Sequence, residues 1–366
     1  MVEPVRQGQA AVAEGRPFRR SDAAGEEAGR LYAALDLGTN NCRLLVAESR
    51  GRGFRVVDAF SRIVRLGEGV AATGVLSEAA MARTVEALKI CRRKLVDRRV
   101  HRARLVATEA CRAAGNGEEF LRRVKSETDL DLEIVTRETE ARLAVNGCAG
   151  LVDRGGDGAL LFDIGGGSSE LVWIDLRMRP SRSGHGMSRS IRAWTSLPVG
   201  VVTIAEAFGG MDVGPEIYEA MVAEVAALLD RLPDAEALDR AVAAGRIHFL
   251  GTSGTVTTLA GVHLGLPRYD RRRVDGLWLA DADVTAMVEK IRSMDYEERV
   301  ASPCIGRDRA DLVIAGCAIL EAVRRRWRCP QLRVADRGLR EGILAELIAA
   351  DRRGDGGGRP RQEERR

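Results

Sequence analysis

Two stretches of the chain carry residue types suited to phosphate chemistry, and they repeat one another. They are Asp36-Leu37-Gly38-Thr39-Asn40-Asn41-Cys42-Arg43 and Asp163-Ile164-Gly165-Gly166-Gly167-Ser168-Ser169-Glu170. In each, an apolar run leads into Asp-apolar-Gly, then small polar residues, then another run that reads as strand. Glycine lets the turn tighten so that backbone N–H groups can face an anion, and hydroxyls and amides add donors. A third turn, Gly251-Thr252-Ser253-Gly254-Thr255, opens a helix, whose N-terminal dipole also favours an anion. Asp36 and Asp163 stand at strand ends, where ligands of α/β sheets are found. Two carboxylates beside a polyanion would repel it, so the chemistry asks for a cation between them. Mg²⁺ takes one or two carboxylates, several waters and phosphate oxygens, and Glu170 is a further candidate for its shell.

A base is also in sight. Thr136-Arg137-Glu138-Thr139-Glu140-Ala141-Arg142 reads as the first turn of a helix. The helix dipole there favours the ionised carboxylate needed to take a proton from water. This argument fits Glu138 and Glu140 equally, and both could be plain surface acids. Arg112 and Asn116 follow a strand end and could face a ligand or simply form a turn.

The elements that would position these residues alternate between strand and helix, which predicts an α/β fold. The apolar run at 31–35 leads into the first turn, and Gly51-Arg52-Gly53 reads as a hairpin turn. Residues 67–74 read as loop. Ser77 is a natural N-cap for an amphipathic helix over 78–97, with Met81, Val85, Leu88 and Leu95 on one face. A strand at 104–107, a helix at 117–128 and a strand at 132–135 follow. Gly155-Gly156-Asp157-Gly158 reads as the break between halves. The arginine-rich stretch 176–205 is expected to be a solvated loop closed by Leu197-Pro198-Val199-Gly200. Helices are expected at 214–232 and 284–294, and a fully buried one at 312–323. A last helix should run to about Ala350. Residues 1–30 and 353–366 lack periodicity and are expected to be disordered.

Composition excludes several classes. With 366 residues, 45% hydrophobic and 30% charged, the chain can form two globular domains. A net charge of +4 is too small to argue for nucleic-acid binding. Only four of the 57 basic residues are lysines. The arginine runs 271–273 and 324–326 could track a polyanion but read more simply as solvated faces. The seven cysteines have no C-x-x-C spacing, which argues against disulfides or zinc and fits a reducing cytoplasm. No stretch has the length of a membrane span. There is no Walker motif and no Ser-His-Asp order.

Taken together, the motifs resemble the exopolyphosphatase / guanosine pentaphosphate phosphohydrolase (Ppx/GppA) family of the actin-like ATPase superfamily. The matching stretches are the two Asp-Gly turns, Ala107-Thr108-Glu109-Ala110-Cys111-Arg112, Glu138 to Arg142, Leu197 to Gly200, Gly251 to Thr258, Arg309-Ala310-Asp311 and Asp336-Arg337-Gly338-Leu339-Arg340-Glu341-Gly342. The resemblance implies two actin-like (ribonuclease H-like) domains with a cleft between them. Domain I would be 31–138 plus 338–352, and domain II 139–337. It implies that Glu140 is the catalytic base, that Asp163 and Glu170 hold Mg²⁺, and that Arg112 and the three turns carry the charge of the transferred phosphoryl. The substrate would be polyphosphate or guanosine pentaphosphate, hydrolysed without a covalent intermediate. Asn41 stands where the family has Ser or Thr, and Ser253 where glycine is common. The chain resembles the short members, which lack the C-terminal extension, so an extended substrate groove would be missing unless a homodimer supplies it. Two other classes compete: an actin-like small-molecule kinase, which would need an aspartate base and an adenosine pocket, and a non-catalytic phosphate or nucleotide sensor.

Overall fold

The computed structural model describes residues 29–51, 53–178 and 186–356. The expectations for the chain ends and for the hairpin tip at Arg52 therefore fall largely outside the described residues. Two mixed sheets form the scaffold. The first contains β1 (Leu31–Leu37), β2 (Asn41–Arg50), β3 (Gly53–Ile63), β4 (Arg102–Ala107) and β5 (Glu133–Ile134), in the order β3-β2-β1-β4-β5. The second contains β6 (Gly158–Ile164), β7 (Ser169–Asp175), β8 (Ile191–Leu197), β9 (Ile247–Thr252), β10 (Trp278–Ala280) and β11 (Gln331–Ala335), in the order β10-β11-β9-β6-β7-β8.

The two sheets are copies with one strand added. β1 pairs antiparallel with β2 and parallel with β4, and β6 pairs antiparallel with β7 and parallel with β9. β10 is the addition at the edge. The central strands are buried on both faces, as Leu160-Leu161-Phe162 and Ala33-Ala34-Leu35 are, so they read as continuous apolar runs. Helix Glu78–Asp97 starts where Ser77 accepts the N–H of Ala80 at 3.2 Å, and it buries Val85, Leu88 and Leu95. Helix Val313–Arg326 is buried along nearly its whole length, as its apolar sequence predicts.

Three expectations need correction. The stretch 176–205 is not all loop. Its second half is β8, paired with β7, and Arg192 lies over the Trp173 ring at 4.3 Å while bonding Asp175. Residues 67–74 contain a single helical turn, Val70–Thr73. The last helix, Leu339–Gly356, continues beyond Ala350.

That last helix lies against the first sheet. Ile343, Leu344, Leu347 and Ile348 pack with Tyr32, Ala34, Leu45 and Ala47. It also crosses helix Arg137–Cys148 with almost no space between backbones. A Cβ added to Gly147 would stand 1.8 Å from the Gly338 carbonyl oxygen, and one on Gly342 would stand 2.0 Å from that of Leu143. The crossing joins the two halves of the molecule and accounts physically for Gly147 and for Gly342 of the Asp336–Gly342 motif. Overpacking here has no flexible side chain to absorb it. Gly342→Ala should therefore cost about 2 kcal/mol or more in urea unfolding. Gly150→Ala, whose Cβ would meet nothing within 4 Å, should be close to neutral.

Candidate active site

Both Asp-Gly turns close in the same way. Gly38 N donates to Asn41 O at 2.9 Å, and Gly165 N donates to Ser168 O at 2.9 Å. They face each other across a cavity of about 130 Å³ between the two sheets. Their approach is close enough to exclude side chains. A Cβ on Gly166 would lie 2.8 Å from Thr39 Cβ and 3.1 Å from Asn40 N, and one on Gly167 would lie 2.8 Å from Thr39 Oγ1. The second turn is held from behind by helix Val201–Phe208, where Val201 N and Val202 N donate to Gly165 O and Gly166 O. Gly200 packs directly on Gly166, which explains the Leu197–Gly200 motif.

The cavity brings together Asp36, Gly38, Thr39, Asn40, Asn41, Arg43, Glu140, Asp163, Gly165, Gly166, Gly167, Ser168, Glu170, Ser253, Gly254 and Thr255. Asn40 Oδ1 is buried there with no hydrogen-bond partner, a site prepared for a donor. Among the expected residues, Ser169 and Gly251 do not line it. Ser169 Oγ donates to Val199 O at 2.7 Å, and a Cβ on Gly251 would strike the Phe162 ring at 2.8 Å. Both are needed for packing. Asn116 is also elsewhere, tying Leu76 through its side-chain amide. Ser253 sits at φ 150, a conformation that favours glycine, which gives the family's preference there a physical reason.

Glu140, and not Glu138, faces the cavity; Glu138 is exposed. Thr136 caps the helix, its Oγ1 accepting Thr139 N at 3.2 Å, and this orients the first turn. Arg112 holds Glu140, donating from Nη2 to Oε2 at 3.1 Å. Its other nitrogens are taken up by Glu109 (Nε at 2.9 Å) and Val135 O (Nη1 at 2.6 Å). Arg112 is thus placed to position Glu140, and its guanidinium is not part of the cavity wall. Glu109 also accepts Arg137 Nη2 at 2.7 Å and does line the cavity. Thr108, Glu109, Arg309 and Arg340 lie in the family-like stretches of the sequence, which gave them no role; Thr108, Glu109 and Arg309 line the cavity, and Arg340 lines its neighbour. For Arg309 the signal was its place in the charged stretch Arg307 to Asp311 just before a buried helix. Arg43, Arg309 and Arg340 have no carboxylate within 4 Å among the described residues. Burial and the nearby Arg43 both press the Arg309 guanidinium to lose its proton. All three line an adjoining chamber of about 590 Å³ that shares Asp36, Arg43, Asp163 and Arg309 with the first. Of the longer arginine runs, only Arg271 reaches the wall of this chamber. Arg324, Arg325 and Arg326 pair with Asp281, Glu321, Glu219 and Asp239, and Arg271 pairs with Glu341.

The register separates the roles of the two turns. Asp36 lies directly across the ladder from Arg43, whereas Asp163 lies directly across from Glu170. The same position carries a cation in one repeat and a second carboxylate in the other. Glu170 is steadied by Ser168 Oγ (2.9 Å) and Ser196 Oγ (2.8 Å), which donate to one oxygen. Like charges directly opposed on a sheet are destabilising. Burial, then Glu170 and Asp36, push the Asp163 carboxyl up to about 8. Burial and Glu170 also raise Glu140 well above the carboxylate range, with Arg112 pulling it back. The pair Asp163 and Glu170 has the chemistry to hold a hard divalent cation. Among the described residues no three His, Cys, Asp or Glu side chains converge as a metal cluster. Such a cation would draw the rest of its shell from water and substrate.

A doubled strand–turn–strand unit gripping a small polar cavity defines an actin-like phosphoryl-transfer enzyme. The sequence profile of the Ppx/GppA phosphatase family matches residues 45–350, and the chain belongs to that family. It is a phosphoanhydride hydrolase built on two actin-like domains. Exopolyphosphatase 2 of Mycobacterium tuberculosis is 29% identical over 333 residues, covering 86% of this chain and 98% of that protein. The crystal structure of the Aquifex aeolicus Ppx/GppA family member superposes with a TM-score of 0.68 at 28% identity, covering 88% of this chain and 98% of the other. An exopolyphosphatase from Cytophaga hutchinsonii shares the fold with a TM-score of 0.76 at 23% identity, over 88% and 98% of the two chains. Among the described residues no helix is long and apolar enough to cross a membrane.

The Asp163 carboxyl makes a prediction about stability. Its folded-state affinity for a proton exceeds its unfolded one, so the folded state binds the proton more tightly. In chelator, the chain should lose stability as pH rises from about 4 to about 8. Mg²⁺ should raise the melting temperature at the alkaline end and do little at the acid end. Asp163→Asn should flatten both effects.

Proposed function

We propose that the protein releases the terminal orthophosphate of inorganic polyphosphate, with Glu140 activating the attacking water. The observation that carries this reading is Glu140 itself, a partly buried carboxylate held by Arg112 on the wall of a cavity formed by the two phosphate turns. The name of the M. tuberculosis relative, which is matched over nearly its whole length, supports polyphosphate as the substrate.

The chain's residues divide the work. Backbone N–H groups of the turns at Gly38 and Gly165, with the side chains of Thr39, Asn40, Asn41, Ser168, Ser253 and Thr255, surround the terminal phosphoryl. Arg43 and Arg309 face the charge that grows on it, the main burden of phosphoryl transfer. Glu140 orients a water and takes its proton as the water oxygen bonds to phosphorus. The bridging P–O bond breaks and its electron pair leaves on the shortened chain. A carboxylate with a raised pKa is a better base near neutral pH than an ordinary one. Asp163 and Glu170 would hold Mg²⁺, which when bound supplies charge neutralisation to the phosphate oxygens. Arg43, across the ladder from Asp36, leaves the first turn as a phosphate holder without a metal.

Guanosine pentaphosphate is a second substrate in this reading. The adjoining chamber of about 590 Å³, with Tyr269 and unpaired arginines in its wall, has room for a nucleoside beyond the phosphates. A kinase reading is not favoured, because the cavity base is a glutamate aimed between the turns.

The test is Mg²⁺-dependent phosphate release from polyphosphate and from guanosine pentaphosphate, side by side. Glu140→Gln should lower kcat on the active substrate by about 10² to 10⁴ with an unchanged melting curve. An unaltered rate in that variant would remove Glu140 from the mechanism.

A further inference from the structure

The loop after β3, residues 64–69, touches the first phosphate turn and the supports of the second turn and of Arg309. On its own side it is fastened to the first phosphate turn. Val64 N and Arg65 N donate to Asn40 O at 2.9 and 3.0 Å, and Gly67 N donates to Thr39 O at 2.9 Å. A Cβ on Gly67 would stand 2.3 Å from Thr39 Cγ2, so the loop lies flat on that turn. Arg83 holds the loop to helix Glu78–Asp97, its Nε donating to Val64 O at 2.6 Å and its Nη2 to Arg65 O at 3.2 Å.

Across the cleft the same loop reaches the other half twice. Arg65 makes a two-bond fork to Asp311, Nη1 to Oδ2 at 2.8 Å and Nη2 to Oδ1 at 3.0 Å. Gly69 N donates to Glu206 Oε1 at 2.8 Å. Neither acceptor is an incidental surface acid. Glu206 belongs to helix Val201–Phe208, whose first N–H groups hold the second phosphate turn. Asp311 follows Arg309 by two residues, in the segment that lines the cavity through Arg309, Leu312 and Val313. Arg65 adopts φ 46, a left-handed conformation unfavourable for a residue with a side chain. The fork and the bonds to Asn40 hold it there.

We propose that Arg65 and Asp311, with Glu206 beside them, are positioning residues that latch the two halves at the spacing the reaction requires. The latch fixes the first phosphate turn, the second phosphate turn and Arg309 to one loop, so that all three address the same phosphoryl group. The pair is partly exposed, with side chains 33% and 22% accessible. A pair of that kind shifts the balance between open and closed cleft without determining whether the chain folds. The kinetic part of this inference rests on the reading of the cleft as a phosphoanhydride hydrolase site; the structural part does not.

The test has two arms. Arg65→Ala and Asp311→Ala should each lower kcat on polyphosphate by about 10- to 100-fold, with KM moved far less and melting nearly unchanged. The charge swap Arg65→Asp with Asp311→Arg should recover much of the loss. The second arm needs no substrate. All seven native cysteines are buried, so spin labels on Glu119→Cys and Glu236→Cys, both exposed and in opposite halves, report the spacing by pulsed dipolar spectroscopy. The unmodified pair should give a narrow distance distribution, Arg65→Ala a broader and longer one, and the swap a narrow one again. An unchanged distribution in Arg65→Ala overturns the latch. A broadened distribution with an unchanged kcat overturns its role in the reaction. If the parent protein hydrolyses no phosphoanhydride, the function reading fails, and the distance arm still decides the latch.

Discussion

The site depends on one electrostatic constraint: two carboxylates, Asp163 and Glu170, opposed on adjacent strands in a buried place. Alone they repel each other, and they also repel any phosphate brought to the turn between them. No arginine stands across from Asp163, whereas Arg43 stands across the ladder from Asp36 at the equivalent position of the other repeat. The serines on Glu170 steady the geometry but cannot remove the charge. A proton on Asp163, or a cation on the proposed reading, relieves the pair before a polyanion can settle there. The two sides of the cleft, one with an acid pair and one with an arginine, differ by a single exchange between repeats.

A second constraint is steric. Gly166 and Gly167 lie against Thr39, Gly200 lies against Gly166, and Gly147 and Gly342 let two helices cross at backbone contact. These glycines share no turn type. Each is where one backbone must come within reach of another. The cavity stays small because its two turns nearly touch. The arginines that could have formed a wide basic surface are instead bound to acids remote in sequence, such as Arg325 to Glu219.

Much of this was legible in the residues. The repeat of Asp-apolar-Gly announced two equivalent turns, and strand–helix alternation announced the sheets. What periodicity could not choose was which glutamate serves. Glu138 and Glu140 are two apart in a helical turn, and only the packed helix decides which one turns inward. The strand at Ile191–Leu197 was hidden because its arginine-rich approach outweighed the alternation of Ile191, Ala193, Thr195 and Leu197, with Ala193 and Leu197 buried. Ser169 and Gly251 belonged to the right motifs, but their neighbours Val199 and Phe162 claimed them for packing. Glu109, which engages Arg112 and Arg137 together, was invisible because its partners are joined only by the fold.

The crossing of helices Arg137–Cys148 and Leu339–Gly356 has one more consequence. Glu140 stands in the first turn of the former, so it rides on the element that joins the two halves. Any rocking of the sheets swings the carboxylate relative to the turns it must serve. Alignment of base and phosphoryl is then a property of the shut molecule alone. On the reading of Glu140 as the base, parting the halves would separate the base from the phosphoryl even where one turn still held the anion.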